Sequence, residues 1–202
     1  RSFFYIILSA LLILITGCIS SHQQVGLAKD GRARLVIALP DHPSVAQEFA
    51  GAELAKYLQQ ISGAKFSVEH DNVSNPAIRL ERTNGENGDA YKIAIRNYDI
   101  VLSGNSDRAI LFAVYDFLGR LGCLWLAPDF QFYSGAAEII PHEQHLTYNA
   151  ANDIKEQPKF TFRKIGASGS RFHSLENLKE IIDWMPKLRF NTLMIPMSGK
   201  MQ

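Results

Sequence analysis

The sequence predicts an α/β fold: a small mixed sheet covered by two helices over residues 33–150, followed by a βαβ unit within 151–202. Three observations carry this. Short apolar runs bounded by turn residues recur at strand length. Two longer stretches repeat apolar residues every three or four positions. Their order reads β-α-β-β-β-β-α.

Arg34 to Leu39 is an apolar run suited to a buried strand. Pro43 is expected at the first position of a helix, with Val45, Phe49, Ala52, Ala55, Leu58 and Ile61 along its inner face and Ser62-Gly63 as its stop. Phe66 to Glu69 and Ala77 to Leu80 read as strands, and Asn84 to Gly88 as a loop. Tyr91 to Ile95 and Ile100 to Leu102 read as a hairpin. Ser106 caps a second helix with Ile110, Ala113, Val114, Phe117 and Leu121 inside and Gly122 as its stop. After Pro158 come an alternating strand, Phe160 to Gly166, a helix capped by Ser174, and a strand from Asn191 to Pro196. Pro186 is expected to kink or end that helix early.

Composition narrows the function. With 21 basic against 20 acidic residues and 47% hydrophobic content, the chain matches neither a nucleic-acid binder nor a disordered segment. Two cysteines do not make a disulfide scaffold, and six scattered histidines form no metal-ligand pattern, so no metal and no cofactor are expected.

Phe3 to Ile15 is a thirteen-residue apolar run behind Arg1. That is short of the roughly 20 residues a spanning helix needs and within the range of a signal peptide. It ends in Leu14-Ile15-Thr16-Gly17-Cys18, which resembles the bacterial lipobox. The resemblance implies a signal over 1–17, lipidation of Cys18, and attachment to the bacterial cell envelope, at the outer membrane or its periplasmic face, through the lipid anchor alone. An ordinary secretory signal or a short anchor that happens to hold a cysteine are the alternatives. Removing residues 1–17 takes away Arg1 alone among the charges, leaving 20 basic and 20 acidic residues. Residues 18–32 are expected to be a polar tether. Arg1 is not an initiator methionine, and the expectation is a piece of a longer protein.

Three stretches share a known arrangement. Glu53, Leu54, Tyr57, Leu58, Ile61 and Gly63 follow the pattern A-x-E-L-x-x-Y-L-x-x-I-T-G. Gly104, Ser106, Arg108, Ala113, Val114, Tyr115, Phe117 and Leu118 follow I-x-G-x-S-x-R-G-x-x-Y-A-V-Y-x-F-L, running into Leu121-Gly122-Cys123-Leu124-Trp125-Leu126-Ala127-Pro128. These resemble the N-terminal domain that precedes the barrel of family 67 α-glucuronidases, family 20 β-hexosaminidases and uncharacterised relatives. Pro158 to Gly166 and Ile181 to Asn191 resemble the first strand and helix of their (β/α)8 barrel. The resemblance implies a domain like the second domain of hexosaminidases, then the truncated start of a TIM barrel. It implies part of a glycoside hydrolase with a carbohydrate substrate; the alternatives are a non-catalytic surface lipoprotein that binds glycans and a purely structural domain that buttresses a barrel. Pro196 and Gly199 stand where hexosaminidases carry a histidine and an aspartate, which favours an α-glucuronidase-like or uncharacterised relative.

Two residues are candidates for substrate contact. Arg163 matches the hexosaminidase first-strand arginine, implied to bind sugar hydroxyls; its fixed donors equally suit an ion pair. Trp125 belongs to a stretch, 121–154, that has no lysine or arginine but holds Phe130, Phe132, Tyr133 and Tyr148. Such rings stack on sugars or pack interfaces, and both readings stand. Glycoside hydrolysis ordinarily needs two carboxyl groups across the scissile bond. Asp153 and Asp183 have no evident mates, so no catalytic residue is assigned, and the resemblance implies carboxylates beyond Gln202. Gly166 to Ser170 lacks the lysine of a phosphate loop. Asn72-Val73-Ser74 is a sequon without meaning in a bacterial host, and Cys123 reads as a core residue.

Overall fold

A computed structural model describes residues 23–70, 73, 76–85, 88–166 and 174–195. Cys18, the sequon residues Asn72 and Ser74, Pro196 and Gly199, and the stretch 167–170 lie outside the described residues.

The main sheet has six strands in the order β12-β7-β8-β6-β4-β5: β4 (Val36–Leu39), β5 (Val68–His70), β6 (Ala77–Arg82), β7 (Tyr91–Arg96), β8 (Asp99–Gly104) and β12 (Ile154–Glu156). β5, β4, β6 and β8 run parallel, while β7 is antiparallel to both β8 and β12. The sheet is mixed, as the element order predicts. Asn97 and Tyr98 close the β7–β8 hairpin with positive φ at both positions, as a tight hairpin turn requires.

Helix α1 (Val45–Ser62) begins two residues later than expected because Ser44 is its cap. The Ser44 hydroxyl accepts from the Gln47 amide, and the Gln47 side chain accepts from the Ser44 amide. Gly63, at φ 73°, ends it. Its inner face is rotated from the expected one. Ala50, Leu54, Tyr57, Leu58 and Ile61 are buried, whereas Val45 and Phe49 are exposed. The buried Gln47 and Glu53 explain the rotation, since each has a polar partner that makes burial tolerable.

Helix α2 (Asp107–Arg120) is capped by Ser106 and ends at Leu121, with Gly122 at φ 103° after it. It is buried almost all round, because α1 and the sheet cover one side and the C-terminal unit the other. β8 runs close under it: a Cβ on Gly104 would lie 2.6 Å from the Ile110 nitrogen.

Both boundaries of the α/β domain move outward. Within the expected tether, 18–32, the described residues from Gln23 onward form strands β1 (Gln23–Gly26), β2 (Ala28–Lys29) and the start of β3 (Arg32–Ala33). β1 pairs with β11 (Thr147–Ala150), and Val25, Leu27 and Ala28 enter the core. At the other end, β12 joins the main sheet, so the domain runs to Glu156. β9 (Leu124–Trp125) and β10 (Glu138–Ile139) form a further small pair.

The C-terminal unit is β13 (Lys164–Gly166), α3 (Leu175–Trp184), a 3-10 turn (Met185–Leu188) and β14 (Thr192–Met194), with β13 and β14 parallel. The α-helix stops before Pro186, as expected. The expected strand from Phe160 shortens to three residues, leaving Phe160 and Phe162 exposed. Phe130 of the α/β domain joins Ile181 and Met185 in a small second core that ties the two units together.

Candidate functional site at the seam between the two units

The residues of the sequence patterns converge beneath the C-terminal unit. The Tyr115 hydroxyl donates to Glu53 at 2.8 Å, and the Tyr57 hydroxyl donates to Glu138 at 2.7 Å. Trp125 Nε1 donates to the Tyr57 hydroxyl at 3.2 Å. The three rings meet edge-to-face, with centroids 5.3–6.4 Å apart. Burial pushes both tyrosine hydroxyls well above their ordinary pKa, and the adjacent carboxylates Glu138 and Glu53 add to the effect. These phenols are structural donors at any physiological pH.

Over this cluster lies a pocket of about 190 Å³ walled by Tyr57, Trp125 and Trp184, with Asp129, Glu138, Glu180 and Asp183 around it. Trp184 Nε1 donates to the Trp125 carbonyl at 3.3 Å across the seam. Lys187 is ion-paired with Asp183 at 2.7 Å, and Lys56 with Glu53 at 3.0 Å; both ammonium groups lie over the Tyr57 ring. Trp125 is thus 7% exposed and forms part of a pocket wall.

Arg163 is held elsewhere on the seam. It precedes β13, and its guanidinium donates to Asp89, to the Arg189 carbonyl at 2.6 Å and to the Phe160 carbonyl at 2.8 Å, while lying over the Phe112 ring. Asp89 also accepts from Arg108 Nε at 2.8 Å and Asn191 Nδ2 at 3.0 Å. Burial raises the Asp89 pKa, but the hydrogen bonds from Arg163, Arg108 and Asn191 outweigh it and hold the carboxyl below its ordinary value. This is the ion-pair arrangement, just before the amino-terminal end of β13. Arg189 Nη1 completes the seam by donating to the Tyr91 hydroxyl at 2.7 Å.

Arg163 and Trp125 are therefore not brought together. Asp153 lies at the sheet edge, ion-paired with Arg96 and Lys92. Sequence reasoning missed Asp89, which sits after the 84–88 loop without a motif of its own; its partner Arg108 lies inside the second pattern but is half exposed and gave no signal of a buried carboxylate. Among the described residues, no group of three or more histidine, cysteine or acidic side chains is placed to hold a metal, and no helix is long and apolar enough to cross a membrane.

No protein-family model matches the chain, and no curated protein matches it. Solved structures share its fold, and they include glycoside hydrolases of several families. The family 20 β-N-acetylhexosaminidase of Streptomyces coelicolor superposes over 87% of this chain with TM-score 0.59 at 18% identity. The family 20 exo-β-N-acetylglucosaminidase of Vibrio harveyi does so over 87% with TM-score 0.57 at 20% identity. A family 115 4-O-methyl-α-glucuronidase with specificity for decorated arabinogalactans covers 86% with TM-score 0.52 at 13% identity. The chain spans 33%, 23% and 26% of these three proteins, respectively.

Proposed function

We propose that the chain is the amino-terminal part of a lipid-anchored bacterial glycoside hydrolase acting on poly- or oligosaccharide, with hexosaminidase-like or α-glucuronidase-like ancestry. The observation that carries the reading is that the α/β domain and the parallel βαβ unit together, and not the domain alone, share their fold with glycoside hydrolases of more than one family. In this reading β13, α3 and β14 begin a (β/α)8 barrel, whose catalytic carboxylates come from the ends of later strands. The α/β domain buttresses that barrel through the Asp89–Arg163 ion pair and the Trp125–Trp184 contact. Cys18 carries the lipid that holds the enzyme in the cell envelope.

The test is hydrolysis by the whole gene product. It is expected to release aryl alcohol from an aryl N-acetylglucosaminide or an aryl glucuronide. A whole protein that turns over neither class, yet retains saturable glycan binding, would establish the alternative of a non-catalytic glycan-binding lipoprotein.

A further inference from the structure

We infer that the α/β domain docks on an anionic phospholipid surface through the edge of its main sheet at which β4, β6 and β8 begin. The inference rests on the lipid-anchor reading, and the length of the tether is its first support. Cys18 stands five residues before Gln23, the first residue of β1, so the acylated residue is at most about 18 Å from that strand, however the chain between them runs. Gln23 lines a cleft with Ile95, Arg96 and Asp153, next to the β7–β8 turn. Ile37, Val68, Ile78 and Ile100 are level with one another in the sheet. Arg34, Lys65 and Tyr98, two or three residues before three of them, therefore lie at the same edge.

Charge identifies the partner. Arg32, Arg34 and Lys65 line one cleft on this edge, all three exposed. Among the described residues, no carboxylate forms an ion pair with any of them. The Arg34 guanidinium lies against β1, since a Cβ on Gly26 would stand 3.3 Å from its Nη1. Glu69, the one acid lining this cleft among the described residues, accepts from the Ser67 hydroxyl. The other acids nearby are paired: Asp30 with His145 at 3.4 Å, Asp99 with Arg79 at 2.6 Å, and Asp153 with Arg96 and Lys92. Positive charge without a counter-charge is thus gathered where the anchor enters, and a leaflet of anionic headgroups complements it.

Tyr98 is an independent sign. It is 73% exposed and sits at φ 71°, a conformation that tight hairpin turns ordinarily give to glycine, asparagine or aspartate. The ring adds little to the core, whereas a phenol with an apolar body and a polar tip suits the headgroup layer. The opposite edge of the sheet is already occupied. Asp89–Arg163 and Tyr91–Arg189 lie there, Tyr91 being level with Gly104 at the end of β8. The bilayer and the C-terminal unit therefore do not compete for one surface.

The test places the acylated protein in vesicles of phosphatidylglycerol and phosphatidylcholine in equal parts, and in vesicles of phosphatidylcholine alone. Amine acetylation is read by mass spectrometry at Lys65, with the exposed Lys159 and Lys179 as references. The ratio of Lys65 to the references is expected to fall several-fold on the anionic vesicles alone. It should recover at about 1 M salt, where charges are screened within about 3 Å. Each basic group near an anionic leaflet multiplies contact roughly fivefold. Arg32→Gln combined with Arg34→Gln is therefore expected to lower the docked-to-free ratio about 25-fold, at an unchanged melting temperature. Tyr98→Gly is expected to raise the melting temperature and yet to deprotect Lys65. Equal reaction of Lys65 on both vesicles, or its indifference to both sets of changes, overturns the inference. Protection in intact cells but on neither vesicle overturns it in favour of a protein partner. A protein that takes no fatty-acid label ends the anchor reading and this face with it, whereas a labelled protein with freely reacting Lys65 ends the face alone.

Discussion

Asp89 and Arg163, 74 residues apart in the chain, form an ion pair across the seam between the α/β domain and the βαβ unit, with side chains only 3% and 18% exposed. Removing one partner of such a pair leaves a charge without a counter-charge, at a cost of about 3 kcal/mol. Asp89→Ala is therefore expected to lower the urea midpoint and to expose the segment after Glu156 to protease before the sheet is cut. A variant as resistant as the parent would mean that Phe130, the tryptophan contact and the Arg189–Tyr91 hydrogen bond hold the seam without Asp89.

The same carboxyl gives a pH dependence with a definite sign. Its folded-state pKa is depressed below the ordinary 3.8, so its contribution is present above that value and is lost as pH falls through the depressed one. Acid unfolding of the parent is expected to steepen below about pH 4, and Asp89→Asn is expected to flatten that limb. Parallel acid profiles for the two would remove Asp89 from the account.

The motif glycine Gly104 has a steric reason that a pattern alone does not give. An added Cβ would stand 2.6 Å from the backbone nitrogen of Ile110 and 2.7 Å from the carbonyl carbon of Ala109, and neither is a side chain that can swing away. Gly104→Ala must push α2 off β8, at a cost of about 3 kcal/mol by the measure of overpacked cores. Thermal unfolding checks it, and an unchanged melting temperature would contradict the close approach.

The order of elements was legible because apolar spacing reports burial directly: Ile78, Leu80, Ile93, Ile100 and Leu102 are all core. What failed was what depends on distant partners. Gln23 and Gln24 disguise β1 as a tether because its pairing partner, β11, lies at the far end of the domain. The rotation of α1 was invisible because Glu53 looks like a solvent residue until Tyr115 is seen to bond it. The pattern residues Glu53, Tyr57, Tyr115 and Trp125 were legible as a set, but not as two hydrogen-bonded groups joined by edge-to-face rings. Arg163 was expected inside a strand from Phe160 to Gly166; it lies just before β13, and its guanidinium is held by Asp89 and by the Arg189 and Phe160 carbonyls.

The two cysteines are expected to behave oppositely. Cys123 is buried, and burial, helped by the charge of Glu138, pushes its thiol up to about 12. It should resist maleimide in the folded protein and react on unfolding. Cys18, on the lipobox reading, is acylated: a fatty-acid analogue fed to cells should label the parent and leave Cys18→Ala unlabelled. Equal labelling of both would end the lipoprotein proposal without touching the fold.

The last prediction concerns the 202 residues by themselves, and it is negative. Cleaving a glycosidic bond ordinarily takes a protonated carboxylic acid on one side and a carboxylate on the other. Asp153 cannot serve as the acid, because hydrogen bonds from Arg96 and then Lys92 hold its pKa far below the range in which it would keep a proton. Asp183 is on helix α3 and paired with Lys187. Arg163 binds but does not donate a proton at neutral pH, and Asp89 is fully engaged with it. The 202-residue chain is therefore expected to leave aryl glycosides and aryl glucuronides unhydrolysed. Release of aryl alcohol above background that vanishes in Asp183→Asn would refute this and move a reaction centre into the seam.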